Sequence, residues 1–286
     1  MQIALSEQGN PVLPFVQTCA GRTLDLAGKA EEPHPLQLIP ARWRAFTDPF
    51  TTFVDDLAAT ESASDPDGKA LIESLRRVIY DATEIFDCYA SMLPDRVKPG
   101  SKAERDALNE YRSSAKRLRA FAALLCNRCK HASAQLQFLW ARSTVNGVTG
   151  GRLLVSVYRD GTALLRDDQI HNGKMAGIGL VRLAQELAHN LLRIDRAAAA
   201  LIRSLADRGV PALPEVQAEV PLGAALQRLA SLQASRHSDE SALHYGLRFA
   251  DQTLELARVS AVDLGPAVRM RATLTHHLPT TSYSVA

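Results

Sequence analysis

The sequence lacks the features that mark secreted and membrane proteins. Its first residues contain no basic region followed by an apolar run of signal-peptide length, and no stretch approaches the roughly 18 uninterrupted apolar residues of a membrane span. Cysteine is scarce, with four residues in a chain of 286, and free thiols are expected rather than disulfides. We therefore expect a cytoplasmic protein without membrane contact.

Common catalytic signatures are also missing. The chain has no Gly-x-Ser-x-Gly turn, no phosphate-binding loop of the GxxxxGKS or GxxxxGKT type, and no glycine-rich dinucleotide turn between a strand and a helix. A zinc site needs about four ligands, and Cys126, Cys129 and His131 supply three at most. On a helix, His131 would also point about 140° away from Cys126. The sequence thus predicts no metal site and no cofactor.

Negative charge is absent from one long segment. Residues 112–159 contain nine Lys or Arg and no Asp or Glu, whereas residues 1–111 contain 11 basic and 18 acidic residues and residues 160–286 contain 13 of each. Such a segment attracts polyanions because their binding releases counterions. The alternative is that acidic helices of the first segment pack beside it and neutralise it.

Helical periodicity dominates the middle of the chain. Residues 1–63 contain six prolines and little periodicity, which predicts an irregular N-terminal segment that wraps the rest. Residues 64–94 predict an amphipathic helix, and Ser101 with Glu104 forms a capping box for a second helix over about 101–142. A third long helix is predicted over about 175–205, before Gly209 and Pro211.

Strand patterns flank the third helix. A β-hairpin is predicted at about 152–166, with its turn at residues 159–161. After a short helix at about 223–234, three strands are predicted within 242–275, and the last ten residues are expected to form a tail. These patterns predict an α+β protein: a helical core at 64–209 with an inserted hairpin, and a C-terminal segment, 210–286, with a small antiparallel β element.

The second predicted helix contains the most informative stretch, LCNRCKH at residues 125–131. A stripe of core-facing residues with alternating spacings of four and three includes Cys129, whereas His131 and Asn127 lie on the opposite side. That side also contains Ala120, Leu124 and Phe138. A helix that is apolar on two sides is predicted to be covered on both, by its own domain or by a partner.

This stretch resembles the motif of the HEPN superfamily, in which an arginine, a polar residue that is often asparagine, three variable residues and a histidine follow in order. The resemblance implies a helical bundle that is commonly a homodimer, and metal-independent RNA cleavage in toxin or phage-defence systems. Asn127 matches the polar position, His131 matches the histidine, and Cys126 replaces the arginine. A neutral thiol cannot stabilise phosphoryl charge, so the resemblance implies RNA binding with or without cleavage.

The candidate site residues follow from this resemblance and from the basic segment. His131 and Asn127 are the candidate catalytic residues. The candidate nucleic-acid-binding residues are Arg112, Lys116, Arg117, Arg119, Arg128 and Lys130.

Two other stretches have comparable spacing. RDDQIH at 166–171 also fits the arginine–histidine spacing but lies at the end of a predicted strand, so a polar loop is the expected structure. QELAH at 185–189 has a zincin-like spacing with glutamine in place of the first histidine ligand, so His189 is expected to be an ordinary core or surface histidine.

Three functions remain open at this stage. The first is an RNA-binding protein or endoribonuclease centred on the basic segment. The second is a scaffold that uses the second long helix as an interface with a protein partner. The third is a small-molecule enzyme with a pocket between the helices and the C-terminal strands, although the sequence contains no specific motif for it.

Overall fold

The computed structural model describes residues 1–20, 22–26, 33–61, 68–130, 134–145, 148–159, 165–171, 177–208, 217–232, 244–250, 252–259, 271–275 and 282–285. The helices are α1 (Pro14–Cys19), α2 (Pro35–Glu61), α3 (Gly68–Asp87), a π-helical turn (Cys88–Met92), α4 (Leu93–Arg96), α5 (Lys102–Lys130), α6 (Asp168–His171), α7 (Leu180–Ser204) and α8 (Gly223–Ser231). The strands are β1 (Gln2–Ala4), β2 (Ala134–Val145), β3 (Val148–Arg159), β4 (Leu165–Arg166), β5 (Ile178–Gly179), β6 (His244–Ala250), β7 (Thr253–Val259), β8 (Arg271–Thr275) and β9 (Ser282–Val285).

The strands form two antiparallel sheets. One has the order β1-β7-β6, so the first strand of the chain pairs with a strand near its other end, Gln2 opposite Glu255. The other has the order β4-β3-β2-β8-β9, with β5 also paired to β3. The long hairpin β2–β3 is the centre of this second sheet, with Ala134 opposite Arg159 and Val145 opposite Val148.

Long amphipathic helices supply most of the core. Helix α7 packs against α1 and α5 and also contacts strand β6. Buried apolar side chains of α1, α2, α3, α5, α7, α8, β1, β6 and β7 form one connected hydrophobic cluster. The predicted fold class, α+β with a mostly helical core, is therefore confirmed. None of the described helices combines the length and the apolar character that a membrane crossing requires.

The predicted start of the second helix is confirmed in detail. The N–H of Glu104 donates to Ser101 Oγ at 3.2 Å, and the N–H of Ser101 donates to Glu104 Oε2 at 3.3 Å, which is the reciprocal geometry of a capping box. The same carboxylate accepts a hydrogen bond from the N–H of Ala206 after α7 and one from Arg208. Glu104 therefore caps α5 and also ties it to the end of α7.

The prediction of an irregular segment at 1–63 is wrong for much of its length. Residues 35–61 form α2, which contains Pro40 and Pro49 and places Trp43 and Phe50 in the core. A proline inside a helix leaves the carbonyl four residues earlier without a partner. For Pro49 this carbonyl belongs to Ala45, which is exposed, so water can satisfy it. Packing of the aromatic face outweighs the lost hydrogen bond.

The predicted boundary of the second helix at about 142 is also wrong. Helix α5 ends at Lys130, and residues 134–145 form strand β2. Alternation of Gln135, Leu136, Gln137 and Phe138 suits a strand, and the Asn-Gly pair at 146–147 is a strong hairpin signal. The predicted hairpin at 152–166 is present as the short β3–β4 pairing, but a longer hairpin, β2–β3, precedes it.

The C-terminal predictions are partly confirmed. Helix α8 and strands β6, β7 and β8 lie where the sequence predicts them. The third long helix starts at Leu180 rather than near Met175, and residue 175 lies outside the described residues. The expected tail contains strand β9, in which Tyr283 pairs with Leu274 of β8, because a strand neighbour can satisfy its backbone.

Candidate nucleic-acid interface

Four of the predicted nucleic-acid-binding residues lie on one side of α5. At 100° per residue, Arg112, Lys116, Arg119 and Lys130 fall within about 60° of arc around the helix axis. We call these four residues the α5 basic face. It extends over about 27 Å, because 18 residues separate its ends and each adds about 1.5 Å. The candidate Asn127 adjoins this face, and its side chain is exposed.

The N-terminal half of the α5 basic face is open to solvent. Arg112 and Lys116 are exposed. Within the described part of the chain, neither forms an ion pair with an acidic side chain, and the same is true of Arg117. Their positive charge is thus available to an external anion.

The rest of the α5 basic face contacts α3. Arg119 Nε lies 2.5 Å from Asp87 Oδ1, and Lys130 Nζ lies 5.7 Å from the ring centroid of Tyr80. The first is an ion pair and the second is within the range of a cation–π contact. The expectation that acidic helices of the first segment neutralise the basic segment therefore holds for Arg119 and not for Arg112 or Lys116.

Arg117 and Arg128 are not part of the α5 basic face. They lie about 140° and 160° around the helix from Arg112. Arg117 is exposed, whereas Arg128 contacts the loop and helix before α7. The structure therefore separates the six basic candidates into a group of four, one exposed arginine on another side, and one arginine bound within the fold.

Arg128 joins the two motif-like stretches, LCNRCKH and RDDQIH. Its Nε lies 2.9 Å from Oδ2 of Asp167, which is completely buried, and its Nη2 donates to Gln169 Oε1 at 2.5 Å. Asp167 Oδ1 accepts hydrogen bonds from the N–H groups of Gln169 and Ile170, so it also caps α6. A buried carboxylate with a guanidinium partner is a structural pair, and sequence reasoning did not find it.

The motif residues themselves are not equivalent in their surroundings. Cys126 is 2% exposed and faces the core, although the predicted core stripe contained Cys129 instead. Asn127 is exposed, and His131 lies outside the described residues. Cys126 stands where the HEPN motif has its arginine. Because its side chain is buried, a phosphate outside the helix cannot reach it.

Of the two neighbouring free thiols, Cys126 is buried and Cys129 is partly buried. Burial raises the pKa of Cys129 to about 11, against an opposing effect of the nearby Arg76, so the thiol is protonated at neutral pH. In the described ranges, no three or more His, Cys, Asp or Glu side chains are grouped so that they could hold a metal ion.

The competing histidines lie in the interior. His171 of RDDQIH is completely buried on α6, and His189 of QELAH is 4% exposed on α7. Each has an interaction partner. The expected loop at RDDQIH is therefore wrong, since residues 168–171 form a helical turn, and His189 is a core histidine as expected.

A second buried carboxylate, Asp195 of α7, was also missed by sequence reasoning. Its Oδ1 accepts a 2.5 Å hydrogen bond from the Tyr89 hydroxyl, and its Oδ2 accepts one of 3.1 Å from the N–H of Phe15. The Tyr89 oxygen in turn accepts a hydrogen bond from Trp43 Nε1 at 3.2 Å. Burial raises the pKa of Asp195 to about 7, while its two hydrogen bonds act in the opposite direction.

The prediction that the second long helix is apolar on two sides is wrong. Phe138 lies on β2, because α5 ends eight residues earlier. Ala120 is exposed, and Leu124 is a partly buried residue that packs against the protein's own core. The solvent side of α5 thus carries charged, polar and small side chains, with Asp106 and Glu110 exposed among the cations, and not an apolar stripe for a partner helix.

Comparisons with known proteins leave the function to be argued from this geometry. No protein-family profile, no curated protein and no solved structure matches the chain. The HEPN resemblance therefore stays a prediction that rests on Asn127, His131 and the basic segment. The fold around them is an α+β arrangement with a mostly helical core.

Proposed function

We propose that this protein binds RNA through the α5 basic face. The observation that carries the proposal is the pair Arg112 and Lys116, which are exposed, lie one turn apart, and have no acidic partner among the described side chains. Lys130 and Arg119 continue the same face toward the motif stretch at 125–131. A row of cations on one side of a helix favours a polyanion whose charges are also arranged in a row.

The proposed activity is binding without cleavage. The family's cleavage chemistry needs an arginine against the scissile phosphate, and here Cys126 occupies that position with a buried side chain. Arg128 cannot replace it, because it lies about 160° around the helix from the start of the α5 basic face and is held by Asp167. The HEPN resemblance supports a homodimer with a role in toxin or phage-defence systems.

Salt dependence gives the proposal a quantitative form. If all four cations of the α5 basic face contact phosphates of a single strand, the affinity should fall by about 50-fold between 50 and 200 mM salt. Two contacts would give a loss of only about 7-fold over the same range. The slope of affinity against salt therefore counts the contacts.

The test compares the unmodified protein with Arg112→Glu/Lys116→Glu. Binding of a fluorescent RNA is measured by anisotropy between 50 and 200 mM salt, and gel analysis of the same RNA records cleavage. We expect the double variant to bind more weakly and with a flatter salt dependence, because two of the four cations are replaced by repelling charges.

Arg44→Glu/Arg248→Glu is the matched control. Arg44 on α2 and Arg248 on β6 are both exposed and lie outside the α5 basic face. Each double variant replaces two positive charges by two negative ones, so both change the net charge from +2 to −2. Equal losses in the two variants would mean that total charge and not the α5 basic face drives binding, and no binding of the unmodified protein at 50 mM salt would refute the proposal.

His131→Ala completes the test of cleavage. If the RNA is cut by the unmodified protein in the presence of a chelator and this cutting disappears in the variant, the protein is a nuclease and the proposed absence of cleavage is wrong. The predicted homodimer is tested separately by light scattering of the purified protein.

A further inference from the structure

We propose that the RNA-binding face selects single-stranded RNA by stacking one unpaired base on Tyr80. This inference rests on the proposed function and adds the class of RNA and the residue that selects it. It is carried by the position of one partly exposed aromatic ring at the end of a row of cations.

Tyr80 lies on α3, beside the C-terminal end of the α5 basic face. Its side chain packs partly against the core and is partly exposed. Lys130 Nζ lies 5.7 Å from the ring centroid, and Asp87, about two turns further along α3, pairs with Arg119. The Tyr80 ring therefore lies at the contact between α3 and α5, on the same side as the pair of Asp87 and Arg119.

The surroundings of Tyr80 suit a nucleotide. Arg76, one turn earlier on α3, has a side chain that is 33% exposed and forms an ion pair of 3.1 Å with Glu73, and together with Lys130 it lies close enough to lower the pKa of Tyr80. Burial, followed by the neighbouring Cys129 and Cys126, raises the pKa of Tyr80. The hydroxyl is therefore neutral at physiological pH and does not repel a phosphate.

A stacking ring discriminates between the two forms of RNA. In a duplex the bases are stacked on each other and paired, so the protein can reach only the backbone and the groove edges. In a single strand each base has a free face, and surfaces that bind such strands combine cations along the backbone with aromatic rings for the bases. The α5 basic face followed by Tyr80 has both components.

Lys130 has two positions in this arrangement. Without RNA its ammonium group covers the Tyr80 ring. When a base stacks on the ring, the flexible lysine side chain moves aside and contacts the phosphate of the same nucleotide. In this exchange the ammonium group of Lys130 gains the phosphate as its partner. The Tyr80 ring loses its contact with the ammonium group and gains a larger contact with the flat base.

The experiment measures the affinity of three proteins for a single-stranded RNA without self-complementarity and for its duplex. The proteins are the unmodified chain, Tyr80→Leu and Tyr80→Phe. We expect Tyr80→Leu to weaken single-strand binding by roughly 5-fold to 150-fold, the usual range for loss of one stacked base, and to leave duplex binding unchanged. Tyr80→Phe keeps the ring and should bind both RNAs as the unmodified protein does.

A second measurement does not depend on the folding of a variant. The unmodified protein is irradiated with single-stranded RNA that contains 5-iodouridine, which crosslinks to stacked aromatic rings, and the crosslinked residue is identified by mass spectrometry. A crosslink at Tyr80 is expected, and crosslinks that are confined to other residues would overturn the inference.

The outcomes separate the two proposals. If the unmodified protein binds neither RNA, the proposed function fails. If it binds both RNAs with equal affinity, or if Tyr80→Leu weakens both equally, RNA binding stands and the selection of single strands by Tyr80 is wrong.

Discussion

Asp195 should make the stability of this protein fall as the pH rises from about 4 to about 7. Its carboxyl group is completely buried, and burial raises its pKa from 3.8 to about 7. Between these two values the folded state holds a proton that the unfolded state has lost, so raising the pH favours unfolding. This is the reverse of the usual aspartate, whose pKa is lowered by folding.

The size of the effect follows from the same two values. At about 1.36 kcal/mol per pH unit, the interval from 3.8 to about 7 corresponds to about 4 kcal/mol. The contribution is fully present near pH 4 and is lost by about pH 7.5. A loss of this order is a large fraction of the 5 to 15 kcal/mol by which typical domains are stable.

Urea unfolding followed by tryptophan fluorescence measures this directly, since Trp43 donates its Nε1–H to the Tyr89 oxygen that contacts Asp195. The free energy of unfolding is compared between the unmodified protein and Asp195→Asn at pH 5 and pH 8. We expect the advantage of the unmodified protein at pH 5 to shrink by about 3 kcal/mol at pH 8, because about two of the pH units between the two pKa values lie above pH 5 and asparagine does not titrate.

Other groups titrate in this range as well, which is why the difference between two proteins is used. The carboxylate of Glu104 has a lowered pKa, caused first by hydrogen bonds from the N–H groups of Ala206 and Gly100, so its contribution to stability is lost as the pH falls. Asp48→Asn, at an exposed site on α2, is the control for removing a carboxylate. If Asp195→Asn and the unmodified protein differ by the same free energy at both pH values, the reasoning from burial is refuted.

Two further predictions concern packing and the buried ion pair. Arg128→Met should lower the free energy of unfolding by about 3 kcal/mol, because it leaves the completely buried Asp167 without its guanidinium partner. The RNA affinity of this variant should be unchanged. A loss of affinity in the folded variant would place Arg128 in the RNA site. Gly223→Ala should destabilise by about 1 to 3 kcal/mol, because a Cβ there would lie 2.3 Å from the carbonyl oxygen of Gly9. An unchanged thermal midpoint for Gly223→Ala would show that this close approach does not persist in solution.

Local sequence signals predicted the parts of the fold that depend on neighbouring residues. The capping box of Ser101 and Glu104 and the apolar stripe of α3 are complete within one element, so both could be read correctly. The four-and-three spacing of α5 was also correct up to Leu125. It failed beyond Lys130, because a helical spacing can continue by chance through a strand.

The parts that could not be predicted depend on distant partners. Helix α2 was missed because two prolines disfavour a helix locally, whereas the aromatic face of α2 is stabilised only by packing against other elements. Asp167 and Asp195 look like ordinary surface carboxylates in the sequence. Their burial depends on Arg128 and Tyr89, which lie 39 and 106 residues away, and no local pattern indicates such a pair.

For the candidate site, the sequence supplied a list of candidate cations, and the structure supplies their contacts. That Arg112, Lys116, Arg119 and Lys130 share a side follows from helical geometry once the helix is known. The pairing of Arg119 with Asp87 and the contact of Lys130 with Tyr80 require the antiparallel neighbour α3.

The pairing of β1 with β7 has a consequence for the order of folding. Gln2 and Glu255 are 253 residues apart, and at 5 to 20 residues per second a ribosome takes about 10 to 50 s to synthesise the chain between them. During that time the first strand has no partner, although the helices that follow it can already pack. Closure of this sheet is thus one of the last events in folding, and until it occurs the edge of β7 that β1 covers can pair with another chain.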